Sequence, residues 1–192
     1  MKNNILFILL LSISSLVAMD KYSALTYSFS LATGETKDYI SKPSFRGIGI
    51  EGHKFINPNL SIGLTAQWHV FHDTCDDLVE LDFGAINGDQ NRTINSMPVL
   101  AMFHYNFGNE KKYFFGTGTG PYWVDKRVEI GIAALSWENW HWGVTPEIGV
   151  MIPIRDKSSL LISVNYHHIF ATKNQEYSYF TIKAGFAWDY LF

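Results

Sequence analysis

The sequence predicts an all-β fold, an eight-stranded antiparallel up-and-down transmembrane β-barrel. Three observations lead there. Apolar and small or polar side chains alternate with a period of two, and the connections alternate between tight and long. The composition is 16% aromatic and only 17% charged, with 15 glycines. In a strand, successive side chains point to opposite faces, so alternation separates one face from the other where a helix would mix them.

Taken in order, the chain opens with a segment of a different kind. Lys2 precedes an apolar run from Ile5 to Val17 broken only by serines, and Ser14-Ser15-Leu16-Val17-Ala18 reads as a small-residue cleavage site. This is the pattern of a secretory signal peptide, expected to occupy residues 1–18 and to be removed on export. The run is shorter than the roughly 20 residues that span a bilayer as a helix. No cysteine follows it, which argues against a lipid anchor. Residues 19–192 then form one domain. Cys75 is the sole cysteine, so no internal disulfide is available to staple the fold. A net charge of −3 gives no electrostatic case for nucleic acid as a partner.

The first two strands, Leu25 to Leu31 and Phe45 to Phe55, carry the alternation weakly. Leu60 to Val70 carries it cleanly: Leu60, Ile62, Leu64, Ala66, Trp68 and Val70 oppose Ser61, Gly63, Thr65, Gln67 and His69. Met97 to Phe107 sets Val99, Ala101, Phe103, Tyr105 and Phe107 against Met102, His104 and Asn106. Tyr113 to Trp123 is again weaker. Trp142 to Ile154 sets Trp142, Val144, Pro146, Ile148, Val150, Ile152 and Ile154 against Gly143, Thr145, Glu147 and Gly149. Leu160 to Phe170 opposes Leu160, Ile162, Val164, Tyr166, His168 and Phe170 to Ser163, Asn165 and His167. The last strand runs from Tyr179, with Phe180, Ile182, Ala184, Phe186, Trp188, Tyr190 and Phe192 on one face.

Tight turns are expected at Phe55–Asn59, Gly108–Lys112 and Arg155–Ser158, where Asn, Gly, Pro, Asp and Ser cluster. Longer connections are expected at 32–44, 72–96 and 124–140, with a short fourth at 171–176. That order gives short periplasmic turns, longer extracellular loops and both termini on the periplasmic side. A soluble sandwich or lipocalin-like barrel also alternates, but its large residues pack inward. Eight strands enclose a narrow interior, which rows such as Phe186, Trp188, Tyr190 and Phe192 would overfill. They fit facing lipid, with girdle aromatics near the strand ends.

The opposite faces then line the lumen with Glu51, His53, Gln67, His69, His104, Asn106, Glu147, Asn165, His167 and Lys183. Buried charges persist when paired, and Glu147 with Lys183 is the candidate pair. Gly116, Gly118 and Gly120 leave room for long side chains across the barrel. A polar, plugged lumen is expected rather than a conducting pore. No catalytic, cofactor or metal site is expected. His167 and His168 point to opposite faces. The His72-Asp73-Thr74-Cys75-Asp76-Asp77 run lacks a second ordered cluster at ligand spacing. Its acidic surroundings (Asp73, Asp76, Asp77, Glu80, Asp82 and Asp89) are expected to keep that connection solvated. Gly116-x-Gly118-x-Gly120 lies inside a strand with no helix after it, so it is no phosphate loop.

Several segments resemble the outer membrane protein β-barrel domain family, related in shape to the OmpA and OmpX barrels. Met97-Pro98-Val99-Leu100 resembles a strand opening of that family. Tyr113 to Tyr122 is similar to its aromatic-Gly-x-Gly-x-Gly strand, and Trp142 to Val150 to its Gly-x-x-Pro-Glu-x-Gly strand. The likeness is strongest from Met97 to Phe192. It implies the cell outer membrane as location, with lipid and lipopolysaccharide around a monomeric barrel. The series Phe186, Trp188, Tyr190, Phe192 resembles the terminal signal read by the barrel-assembly machinery, which with periplasmic chaperones would be a biogenesis partner. The resemblance implies no cofactor and no single activity. A non-enzymatic structural or surface-interaction role is expected. The alternatives are a narrow channel or a lipid-modifying enzyme resembling a lipid A deacylase. For the latter, Tyr166-His167-His168-Ile169-Phe170 offers His168 but has Phe170 where that class carries serine.

Overall fold

The computed structural model describes residues 21–81, 84–108, 112–130, 133–155, 157–173 and 175–189, without the side chains of 76–81, 84–89, 133 and 189. The segment read as a signal peptide lies outside these residues. Eight antiparallel strands close into a barrel in simple chain order, each pairing with the next and β8 with β1. They are β1 (Lys21–Thr33), β2 (Ser44–Asn57), β3 (Leu60–Leu81), β4 (Gly84–Phe107), β5 (Lys112–Ile130), β6 (Ala133–Arg155), β7 (Ser158–Thr172) and β8 (Gln175–Asp189). A short helix, α1 (Gly34–Tyr39), joins β1 to β2.

At one end the connections are short. The Asn57 side-chain carbonyl accepts hydrogen bonds from the amides of Asn59 and Leu60, each at 2.9 Å, and closes the β2–β3 turn as an Asx turn does. At the other end the strands differ in height. The central strands β3, β4, β5 and β6 run 22, 24, 19 and 23 residues, against 13, 14, 15 and 15 for β1, β2, β7 and β8.

This corrects one expectation. Segments 72–96 and 124–140 are not irregular loops. The β3–β4 ladder continues to Leu81↔Gly84 and the β5–β6 ladder to Ile130↔Ala133. The outward face of these extensions stands above the lipid belt and needs no continuous apolar row, while inward residues such as Phe71, Ile94 and Val124 stay buried. The period-two signal fades there while the backbone ladder persists. Connections 32–44 and 171–176 are shorter than expected for the same reason: β1 reaches Thr33, β7 reaches Thr172 and β8 starts at Gln175.

Burial follows the alternation. Leu25, Ile48, Ile50, Ile62, Leu64, Val99, Phe103, Ile148, Val164 and Ile182 face outward and exposed. Aromatics cluster at both ends of this belt. Tyr105, Phe107, Tyr113 and Phe115 contact one another near the short turns, with ring centroids 5.4–6.4 Å apart. Trp68, Trp140 and Trp142 lie toward the tall end. One local exception explains why β2 read weakly. Phe45 faces outward and Phe55 inward, because the β1–β2 register shifts between Ser28 and Ser30.

Candidate functional site

The interior is packed in layers. Near the short turns Tyr22, Phe55, Phe114, Met151 and Leu161 form an apolar layer. Above it lies a buried ionic cluster. Lys183 Nζ donates to Glu51 Oε2 at 3.0 Å and stands 2.9 Å from Glu147 Oε1. His104 Nε2 lies 3.5 Å from Glu147 Oε2. The Lys183 residue is 0% exposed. Rings flank it in a stack across the lumen: Tyr22 on His53 (4.8 Å), His53 on His104 (4.6 Å) and His104 on Phe114 (4.7 Å).

Next comes a hydrogen-bonded layer. His69 Nε2 lies 2.8 Å from Gln67 Oε1, which requires the Nε2–H tautomer and leaves Nδ1 to accept from Ser30 Oγ at 3.2 Å. The Tyr122 and Thr145 hydroxyls reach His167 Nδ1 at 2.9 and 3.1 Å. Tyr179 stacks on His167 at 4.5 Å and bonds the Ser96 hydroxyl at 3.0 Å. Asn165 lies in the lumen, near Ser163. A second apolar layer of Phe71, Ile94, Leu100, Met102, Val124 and Tyr177 closes the tall end, and Ile40 from the β1–β2 connection inserts into it.

That connection is held down by one carboxylate. Asp73 accepts from the Ser41 amide and hydroxyl, both at 3.0 Å, and from the Lys42 amide at 3.3 Å; Lys42 Nζ lies 2.9 Å away. Partial burial opposes ionisation of Asp73, but Lys42 and the Ser41 donors outweigh it and hold its pKa at about 2. Tyr39 lies between Lys126 (3.8 Å from the ring centre) and Arg92 (5.1 Å).

The aromatic stack and the two apolar layers had no local signature, since their rings come from strands distant in sequence. Glycines make room for them. A Cβ on Gly116 would lie 2.5 Å from His104, on Gly118 2.3 Å from Met102 Sδ, and on Gly149 2.5 Å from Phe114. Of the aromatics read as an assembly signal, Phe186 is exposed on the outer face and contacts Trp188 at 6.0 Å. Tyr190 and Phe192 lie outside the described residues. No group of three or more His, Cys, Asp or Glu among the described residues is arranged to hold a metal. In the 72–77 run, His72 faces outward onto Thr93 (3.2 Å) while Asp73 faces inward, so the two do not converge. The side chains of Asp76, Asp77, Glu80, Asp82 and Asp89 lie outside the description.

A closed barrel with an apolar belt, aromatic girdles and a filled polar core defines a membrane-spanning β-barrel. The model of the outer membrane protein beta-barrel domain family matches residues 5–189, and the chain belongs to that family. It resides in the cell outer membrane. Among solved structures it is similar to Neisserial surface protein A (TM-score 0.63, 13% identity, covering 88% of this chain and 97% of that one). It is also similar to Ail, the attachment invasion locus protein of Yersinia pestis (0.56, 10%, 91% and 100%), and to OprG of Pseudomonas aeruginosa (0.53, 9%, 90% and 96%). At these identities the likeness shows the fold alone. Comparison with curated proteins returned no match.

Proposed function

We propose that this is a non-enzymatic, monomeric outer-membrane barrel with a structural or surface-interaction role, exported through a cleaved signal peptide at 1–18. One observation carries the reading. The middle of the lumen is packed with side chains, with Lys183 and its two carboxylates between two apolar layers, while β3–β6 rise above it as a projecting sheet. Lipid and lipopolysaccharide surround the belt. The Phe186–Phe192 series serves biogenesis through the assembly machinery. The test is paired: bilayer recording on the refolded protein, and lipid A mass spectrometry of cells with and without the gene. No steady conductance and unchanged acylation support the reading. Either result reversed overturns it.

A second reading has one observation in its favour. His168 Nδ1 lies 3.5 Å from Glu176 Oε1 on the outward face, a base–acid pair of the kind a lipid hydrolase uses. Its cross-strand neighbour is Ser178, but that hydroxyl donates to the Thr33 carbonyl at 3.1 Å. A nucleophile must instead be within reach of its base. An acylation change that disappears in His168→Ala would establish the enzyme.

A further inference from the structure

We infer that the barrel carries, at its periplasmic mouth, a binding site for a small amphiphilic carboxylate: an anionic head on an apolar body about the size of one aromatic ring. The site lies at the short-turn end, opposite the projecting sheet, and goes beyond the structural or surface-interaction reading. It is a cavity of about 190 Å³. Its floor is formed by four members of the first apolar layer, Tyr22, Phe55, Met151 and Ala187, all of them buried. Its rim carries two cations, Lys112 at the start of β5 and Arg155 at the end of β6. Among the described residues no aspartate or glutamate lines it.

The strand ladders explain both the space and the charge. Pro153, Ser159 and Ala187 stand opposite one another across β6, β7 and β8, and the last two are small. One step deeper, Met151 and Leu161 pair and fill the lumen. The β6–β7 register shifts between Pro153 and Arg155. Such an irregularity re-aims the side chain beside it, and Arg155 reaches the cavity with Ser158 as its ladder partner. Lys112, opposite Met151, sets its ammonium 4.8 Å from the centre of the Phe55 ring. The charge is thereby held over the apolar floor. Among the described residues neither cation has a carboxylate partner. Tyr22 adds an independent observation. It is 4% exposed, it lines the cavity, and its hydroxyl has no hydrogen-bond partner among the described residues. A buried hydroxyl left unpaired is costly, and an accepting ligand oxygen offsets that cost.

The chemistry of the ligand follows from these groups. An apolar cavity of about 150 Å³ admits a benzene ring, so this one takes a ring or a short chain of similar bulk. A guanidinium forks onto the two oxygens of a carboxylate, and a lysine adds a point charge beside it. The volume is far below that of a phospholipid's acyl chains, so the occupant is a soluble periplasmic molecule. The packed layers above the floor leave the ligand one way in and out. The site therefore binds and does not conduct.

The probe is 4-fluorobenzoate, titrated by fluorine NMR against the refolded wild-type barrel in nanodiscs of a zwitterionic phospholipid. Saturable binding is expected. It should be weaker by about tenfold or more for the uncharged 4-fluorobenzamide, and equally for the variant K112Q/R155Q. Ala187→Leu, which fills the floor, should abolish it. Arg127→Gln, at the opposite end of the barrel, should leave it unchanged. Heat-modifiable migration checks that each variant is folded. Absent binding by the wild type, equal binding of the amide, or undiminished binding by folded K112Q/R155Q or Ala187→Leu would each overturn the inference. An equal loss in Arg127→Gln would also overturn it, because net charge alone would then account for the binding. So would loss of benzoate binding when phosphatidylglycerol is added to the nanodiscs, because the occupant would then be a lipid head group.

Discussion

Lys183 on β8 stands 2.9 Å from Glu147 on β6, so an ion pair across the lumen joins two strands that share no ladder. Its second carboxylate, Glu51 on β2, extends the tie to the other side of β1. Breaking such a buried pair by removing one partner costs about 3–5 kcal/mol, because uncompensated charge stays behind. Lys183→Met should lower the unfolding free energy of the barrel, measured by urea titration in micelles, by that amount. Adding Glu51→Gln and Glu147→Gln should recover most of it. A Lys183→Met barrel of wild-type stability would remove the cluster from the account.

Glycines in the barrel wall are not equivalent. A Cβ on Gly116 would approach the Phe103 carbonyl to 2.0 Å and the His104 ring to 2.5 Å, whereas one on Gly52 meets nothing within 4 Å. Gly116→Val should therefore abolish or strongly reduce refolding yield, and Gly52→Val should leave it near wild type. Comparable yields would show that the lumen relaxes around added volume.

The Asp73 anchor has a defined pH dependence. Its carboxyl is held to about 2, below the ordinary 3.8, so its contribution is fully present above about pH 4 and is lost as pH falls through 2. Amide hydrogen exchange at Ile40, Ser41 and Lys42 should stay protected at pH 4 and lose protection near pH 1.5. Asp73→Asn should lose it at pH 4 as well. Protection in Asp73→Asn equal to wild type would mean that Ile40 packing alone holds the connection.

The lipid belt makes a positional claim. Arginine at Ile182, in the middle of the outward apolar row, should destabilise the barrel by about 2–4 kcal/mol in bilayers. Arginine at Thr74, on the projecting part of β3, should cost little. Equal costs would place the membrane boundary elsewhere.

These contrasts also show what was legible in sequence. The belt was readable because lipid demands an apolar side chain at every second position, as in Phe180, Ile182, Ala184 and Phe186. The upper halves of β3–β6 were not, because their outward residues stand above the lipid belt and include polar ones such as Asn91, Thr93 and Asn95, so no apolar row alternates with the buried Ile94, Ser96 and Val128. Glu147 and Lys183 fall on inward faces by parity alone. That Glu51 joins them, and that Tyr22, His53, His104 and Phe114 stack, depends on how the barrel closes, which no local spacing encodes.

The central claim is that this barrel is sealed by its own side chains, and planar-bilayer recording on the refolded wild-type protein tests it most directly. The account expects no steady conductance at neutral pH. Reproducible, long-lived unitary currents from the wild-type barrel would contradict it.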